Sequence, residues 1–100
     1  SVVLDKEHNG SKELKLDAVF GAIGHIPLSD LAVKLGVKVN DKKEIIIDRN
    51  SKTNIKGVYA AGDVVDSVFK QAITGVAEGI VASYSAYIYV RENEIVSYSE

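Results

Sequence analysis

The sequence contains no cysteine, no methionine and no tryptophan, and it has a single proline and two histidines. Without cysteine, these residues cannot form a disulfide scaffold, a zinc ribbon, a thiolate cluster or a cysteine nucleophile. Acidic and basic side chains are nearly balanced, 14 against 12, for a formal charge of -2. Such a balance leaves no electrostatic footprint for nucleic acid or for an anionic membrane surface. The sequence therefore predicts no metal site and no nucleic-acid partner.

Long apolar runs are also missing. The longest weakly polar stretch, residues 79–90, contains two serines and is too short to span a bilayer. The opening residues 1–4 are followed at once by charged side chains, unlike a signal peptide. We therefore expect no membrane partner and a cytoplasmic location. The composition, 46% hydrophobic and 26% charged, is that of an ordinary globular chain, and its length suits one compact unit or a piece of something larger.

Short strand patterns dominate the first two thirds of the chain. Asn9-Gly10 is a strong hairpin-turn signal and predicts an antiparallel hairpin between residues 2–5 and 13–17. Three further apolar runs predict short buried strands, at residues 18–23, 45–47 and 58–61.

Helical patterns follow and alternate with these strands, which predicts the α/β class. Residues 28–35 predict a short helix, and apolar residues at three- and four-residue steps predict a long helix over residues 70–91, with one broad buried stripe. Gly75 and Gly79 predict close packing of this long helix against the sheet. The tail, residues 92–100, could add a final turn or a sheet edge.

A glycine and an aspartate at the end of the last predicted strand are the most informative pair. Gly62 permits close approach of a ligand to the backbone, and Asp63 follows at the carboxyl end of the strand, where open α/β sheets bind ligands. An ionised carboxylate only accepts hydrogen bonds, so its natural partner is a hydroxyl, such as one on a sugar chain. The alternative from the residues alone is that Asp63 caps the next turn and touches no ligand.

The surrounding residues resemble the second FAD-binding motif of the pyridine-nucleotide disulfide oxidoreductases, in which a threonine is followed, after six residues, by Ala-x-Gly-Asp. Every position of the motif is filled, by Thr53, Ala60, Gly62 and Asp63. Downstream, Lys70-Gln71-Ala72 is similar to the Arg-Gln-Ala of thioredoxin reductases. Upstream, residues 22–27 are similar to the segment by which those enzymes return from the nicotinamide domain to the flavin domain. The resemblance covers nearly the whole chain, in the family's order.

This resemblance implies a partial FAD/NAD(P)-binding, Rossmann-like domain. Residues 1–23 would be the end of the NAD(P)H-binding domain, and residues 24–100 the carboxyl-terminal segment of the FAD-binding domain. The sequence has no Gly-x-Gly-x-x-Gly loop and no Cys-x-x-Cys pair. By itself, this chain would not pass electrons to a disulfide.

The resemblance also assigns roles to five residues. Asp63 would hydrogen-bond a ribityl hydroxyl of FAD, and Gly62 would give the flavin chain room. Gln71 and Ala72 would present backbone N–H groups to the pyrimidine edge of the isoalloxazine ring, where the unpaired donors of a helix N-terminus favour negative charge. Lys70 stands where the family usually has arginine; it keeps the charge but lacks the planar fork that a bidentate contact requires. No catalytic side chain is assigned.

The implied activity is that of a thioredoxin reductase-like flavoprotein, which passes electrons from NADPH through FAD to a redox-active disulfide and thioredoxin. The rest of the flavoprotein, or a second chain, would be the partner, and the complete enzyme is expected to be a homodimer. Ferredoxin-dependent relatives and alkyl hydroperoxide reductase partners share the same segment. Two alternatives stay open: a non-catalytic flavin-binding subunit that needs a partner chain, and a degenerate interaction module with an empty site.

Overall fold

The computed structural model describes residues 1–93, in which two strands and two helices form. In chain order they are β1 (Val2–His8), β2 (Ser11–Leu14), α1 (Asp30–Lys34) and α2 (Ala72–Glu92). Residues 94–100, which hold most of the tail that could add a turn or an edge, lie outside the described residues. The predicted hairpin and the predicted long helix are therefore both present, and most of the chain between them is irregular.

The amino-terminal hairpin is confirmed. β1 and β2 pair antiparallel, with Val2 opposite Leu14, and the register is irregular further along β1. Asn9 and Gly10 have φ angles of 51° and 79°, so both turn residues are left-handed, as a two-residue hairpin turn requires. β1 extends to His8, further than the sequence indicated.

The predicted strand at residues 18–23 is wrong. This segment has no regular secondary structure, and Phe20 and Ile23 are 92% and 102% exposed. A buried strand needs neighbours that pair with its backbone and cover both faces, and no described residue does so here. The apolar pattern alone could not reveal that absence.

The other two predicted strands are reduced to single bridges. Ile45 pairs with Val39 on one side and, in parallel, with Val65 on the other, while Tyr59 pairs with Lys52. These bridges still bring residues 58–65 beside residues 45–47, so the predicted neighbourhood forms without regular strands.

A small apolar core lies at this crossing. Its buried members are Val37, Ile45 and Val65, with exposures of 4%, 6% and 0%. Partly buried residues pack around them: Ala32, Val39, Ile47, Ile55, Val58, Ala60 and Val64. The described structure is elongated, with a radius of gyration of 21.2 Å, where a compact domain of this length has about 13 Å.

α1 is shorter than predicted and is held to the core by a side chain rather than by a conventional cap. Ser29 precedes the helix, and its hydroxyl donates to the backbone carbonyl of Lys43 at 2.7 Å. Gly36, with φ +86°, follows the helix in the left-handed conformation that commonly ends helices.

α2 lies against loops, not against other elements, and the prediction of a broad buried apolar stripe is wrong. Among its described residues only Ser85 is buried. Hydrogen bonds fasten this face: the Ser51 hydroxyl donates to the carbonyl of Glu78 at 3.1 Å, and the Ser85 hydroxyl to that of Asn50 at 2.8 Å. The large apolar side chains of the helix remain exposed, at Ile73, Val76, Ile80, Val81, Tyr84 and Tyr87.

Within residues 1–93, no helix combines the length and the apolar character that crossing a membrane demands.

Candidate functional site

The glycine-aspartate pair forms a sharp corner that is open on one side. Gly62 has φ +86°, and a Cβ built on it would meet no atom within 4 Å. Asp63 is exposed, and no described residue donates a hydrogen bond to its carboxylate. The alternative that Asp63 caps the next turn is therefore not what the structure shows. The corner offers a hydrogen-bond acceptor beside a backbone with room for close approach.

The backbone after the corner is anchored in the apolar core. The N–H of Val65 donates to the carbonyl of Gly62 at 3.1 Å, which closes a tight turn. Ile45 donates to the carbonyl of Val64 at 2.8 Å and accepts from the N–H of Asp66 at 3.0 Å. Because Val65 is fully buried, the turn that carries Asp63 has a rigid base.

Lys70 lies at the corner, where its side chain makes contacts within the chain. Its ammonium group donates to the backbone carbonyls of Asp63, at 3.1 Å, and Val65, and it pairs with the carboxylate of Glu44 at 3.1 Å. An ammonium group has three N–H donors, and three acceptors of the chain surround this one. A hydrogen bond from Asn40, followed by the one from Lys70, lowers the pKa of Glu44 from its ordinary value. In this structure Lys70 holds the turn together.

Two backbone N–H groups at the start of α2 are predicted donors, and one of them already has an acceptor within the chain. Gln71 precedes the helix, and its N–H donates to Oγ1 of Thr74 at 3.0 Å. Ala72 is the first helical residue, and its N–H has no acceptor within the helix, because the first turn of any helix lacks one. Both residues are exposed. No other residue in 1–93 accepts the N–H of Ala72, which thus remains a backbone donor at the positive end of the helix.

The corner and the first turn of α2 are in contact. A Cβ on Gly75 would stand 3.2 Å from Cα of Gly62, closer than ordinary van der Waals contact. α2 packs closely at Gly75, but against the Gly62 corner and not against a sheet as predicted, and a Cβ on Gly79 would meet only open space. This approach and the hydrogen bond from Lys70 to the carbonyl of Asp63 bring the start of α2 beside the corner.

Two residues that the sequence analysis did not assign complete the corner. Oε2 of Glu78 accepts the N–H of Gly62 at 2.8 Å, and Oε1 accepts the hydroxyl of Ser67. A signal was present in the sequence, since Glu78 is the one acidic residue between Gln71 and Arg91. The sequence marks Glu78 as the exception on this helix, and the structure shows that its partners are Gly62 and Ser67.

Open grooves flank the corner. Asp63 lines one of about 390 Å³ together with His25, Pro27 and neighbouring residues. Lys70 lines another, of about 660 Å³, which also contains His25 and Pro27. The segment that resembles the family's return to the flavin domain thus lies beside the predicted site residues. A groove of about 460 Å³ at the far end of α2 contains none of them.

The chemistry of the corner is that of binding. It offers a carboxylate that accepts hydrogen bonds, a backbone donor at a helix N-terminus and space beside a glycine. Among residues 1–93, no group of three or more histidine, aspartate or glutamate side chains could hold a metal ion.

Comparison with known proteins places this geometry in a family context. The family model described as "Pyridine nucleotide-disulphide oxidoreductase" matches residues 1–79. A Staphylococcus aureus protein, one of the subunits of alkyl hydroperoxide reductase, is 41% identical over 80 residues, which is 80% of this chain and 16% of the relative. A 34.2 kDa protein in the rubredoxin operon of Clostridium pasteurianum is 44% identical over 78 residues, 78% of this chain and 25% of the relative. The chain thus spans a quarter or less of these relatives.

Superposition on solved structures also finds related oxidoreductases. The thioredoxin reductase of Lactococcus lactis superposes with a TM-score of 0.65 and 36% identity, over 70% of this chain and 23% of the other. That of T. acidophilum gives 0.63 and 34%, over 74% and 23%. The predicted α/β class, as part of a Rossmann-like domain, is confirmed by these likenesses and by the long terminal helix.

Proposed function

Because the chain belongs to the pyridine nucleotide-disulphide oxidoreductase family, we propose that it is the carboxyl-terminal, FAD-binding segment of a thioredoxin reductase-like flavoprotein. Residues 1–23 would end the nicotinamide-binding domain and residues 24–100 would belong to the flavin domain. When bound, FAD supplies the transfer of electrons from NADPH to a redox-active disulfide, chemistry that no side chain of this chain performs.

The observation that carries the proposal is the contact between the corner and the first turn of α2. Gly75 approaches Gly62 closely, and Lys70 donates to the backbone carbonyl of Asp63, so the exposed Asp63 and the N–H of Ala72 belong to segments that contact each other. A flavin cofactor carries sugar-alcohol hydroxyls that a carboxylate can bind and a ring edge that an N–H can bind. The residues present fit such a group.

Each residue has a separate role in this proposal. Asp63 accepts a hydrogen bond from a ribityl hydroxyl. Gly62 contributes only space for the ribityl chain, because its N–H already donates to Glu78. Ala72 donates its backbone N–H to the pyrimidine edge of the ring, at the positive end of the helix dipole. Lys70 and Gln71 contribute through the shape of the turn and of the helix start, because the ammonium of Lys70 and the N–H of Gln71 have partners within the chain.

The visible absorption of the native protein tests this proposal. The protein is purified from its source with any polypeptide that completes it, denatured, and the released cofactor is identified by mass. We expect FAD in stoichiometric amount. A colourless protein that stays colourless after incubation with FAD would instead support the degenerate interaction module. Flavin that is retained only with a second chain, without reduction by NADPH, would support the non-catalytic subunit.

A second candidate function is that of a component of an alkyl hydroperoxide reductase. The observation in its favour is the 41% identity to the Staphylococcus aureus protein over 80% of the chain. Reduction of thioredoxin and reduction of an alkyl hydroperoxide, each driven by NADPH or NADH in the native protein, distinguish the two candidates. The homodimer and the cytoplasmic location implied by the resemblance remain predictions, and sedimentation and cell fractionation test them.

A further inference from the structure

We propose that Glu78 is a positioning residue for the cofactor site: its carboxylate fixes the Gly62–Ser67 loop so that Asp63 is held ready for the ribityl chain. The inference rests on the proposed function, because it explains how that site is preorganised. Glu78 itself is not placed in contact with the cofactor.

One carboxylate ties both ends of the loop. Oε2 of Glu78 accepts the N–H of Gly62 at 2.8 Å, and Oε1 accepts the hydroxyl of Ser67. The loop between these two points carries the exposed Asp63. Hydrogen bonds to an ionised carboxylate are stronger than those between neutral groups, so this link resists rotation of the corner.

Glu78 is itself held by the scaffold. Its backbone carbonyl accepts the hydroxyl of Ser51 at 3.1 Å, and Ser51 is only 2% exposed. The helix turn that carries Glu78 is therefore fixed to the loop beneath it. A side chain on a fixed helix positions a partner loop more accurately than a side chain on another loop would.

The two hydrogen bonds of Glu78 matter for function because no described residue donates a hydrogen bond to the carboxylate of Asp63. An unpartnered, exposed carboxylate on a loose turn would have to be ordered when the ligand binds, and that ordering would weaken binding. With Gly62 and Ser67 both held by Glu78, the turn is ordered before the ligand arrives. Loss of the carboxylate should therefore weaken FAD binding without removing any group that touches FAD.

The test compares Glu78→Ala with Glu78→Gln in the native flavoprotein, after removal of FAD, by titration with FAD. Gln can accept from Gly62 through its carbonyl and donate to the Ser67 hydroxyl through its amide, so it keeps both links. We expect Glu78→Ala to raise the FAD dissociation constant by about tenfold to a hundredfold and Glu78→Gln to raise it by about threefold or less. Glu92→Ala, which removes an exposed carboxylate near the end of α2, should leave it unchanged.

Unfolding of the FAD-free variants separates positioning from general stability. A purely structural residue would lower the unfolding temperature of the FAD-free protein without this contrast in affinity. A Glu78→Ala affinity equal to that of wild type, or equal losses for Ala and Gln, would overturn the inference. If Glu78→Ala does not fold, Ser67→Ala replaces it: we expect a rise of about threefold, and no rise overturns the inference. A wild-type protein that binds no FAD would overturn the proposed function itself, a separate outcome.

Discussion

Cα of Gly62 lies 3.2 Å from the point where a Cβ on Gly75 would stand, and the obstructing atom belongs to the backbone. A flexible side chain could move aside, but this turn is fixed by the fully buried Val65 and by Glu78. The contact between the corner and the helix therefore depends on glycine at position 75, whereas Gly62 supplies the left-handed φ of +86° that forms the corner.

Gly75→Ala and Gly79→Ala form a matched pair of substitutions within one helix. Both replace glycine by the best helix former, worth up to about 1 kcal/mol, but only the first introduces an atom close to Gly62. We expect Gly79→Ala to raise the free energy of unfolding and Gly75→Ala to lie at least about 1 kcal/mol below it, with weaker flavin retention. Denaturant unfolding and FAD titration of the native protein measure both. Equal stabilities for the two variants would contradict the close contact.

Asp63→Ala should weaken FAD binding while the fold stays intact. The carboxylate is exposed and accepts no hydrogen bond from the described residues, so its removal costs little stability. A hydrogen bond between a hydroxyl and a charged group contributes about 1.5–3 kcal/mol, which corresponds to a loss of affinity of about tenfold or more. FAD titration measures the effect, with Asp5→Ala, an exposed carboxylate in β1, as the control. Unchanged affinity would remove Asp63 from the site.

Local signals in the sequence predicted the parts of the fold that depend on neighbours along the chain. Asn9-Gly10 specified the hairpin turn, because left-handed residues are required there, and the apolar repeat specified a helix over most of α2. The repeat did not specify what the helix packs against. Burial depends on surfaces that must be supplied from elsewhere, so the stripe remains exposed at Ile73 and Tyr84.

In the candidate site, too, local sequence signals indicated some residues, whereas contacts between distant residues could not be predicted. Gly62 and Asp63 could be found from the sequence, since a glycine and an acid at the end of an apolar run suggest a ligand-binding corner. The partners of Glu78 and Glu44 could not be found from it, because they lie 16 and 26 residues away along the chain. Periodicity carries no information on which of the many charged side chains meets a given backbone group.

Lys70→Met should weaken FAD binding indirectly. The ammonium group holds the carbonyls of Asp63 and Val65, and methionine keeps the apolar stem but loses these donors. We expect a higher FAD dissociation constant, by about threefold to tenfold, as for the loss of an ordinary hydrogen bond. Lys56→Met, which removes a cation over the ring of Tyr89 near the other end of α2, is the control and should leave it unchanged. An effect of the same size in both lysine variants would indicate a change in overall charge instead.

The pH dependence of unfolding should reveal the environment of Glu44. Hydrogen bonds from Asn40 and Lys70 lower the pKa of this carboxyl below its ordinary value of 4.5 in the folded protein. The unfolded chain therefore takes up the proton first as the pH falls, so the stabilisation is complete above about pH 4.5 and is lost as the pH falls through the folded pKa. Glu44→Gln cannot titrate, and we expect its deficit in unfolding free energy, relative to wild type, to shrink steadily below that pH.

Asp48→Asn should show the same kind of convergence, because a hydrogen bond from the backbone N–H of Lys52 lowers the pKa of Asp48 below 3.8. Denaturant unfolding at a series of pH values measures each difference, and a Glu44→Gln deficit that is constant with pH would show that the carboxylate is not held by its two partners.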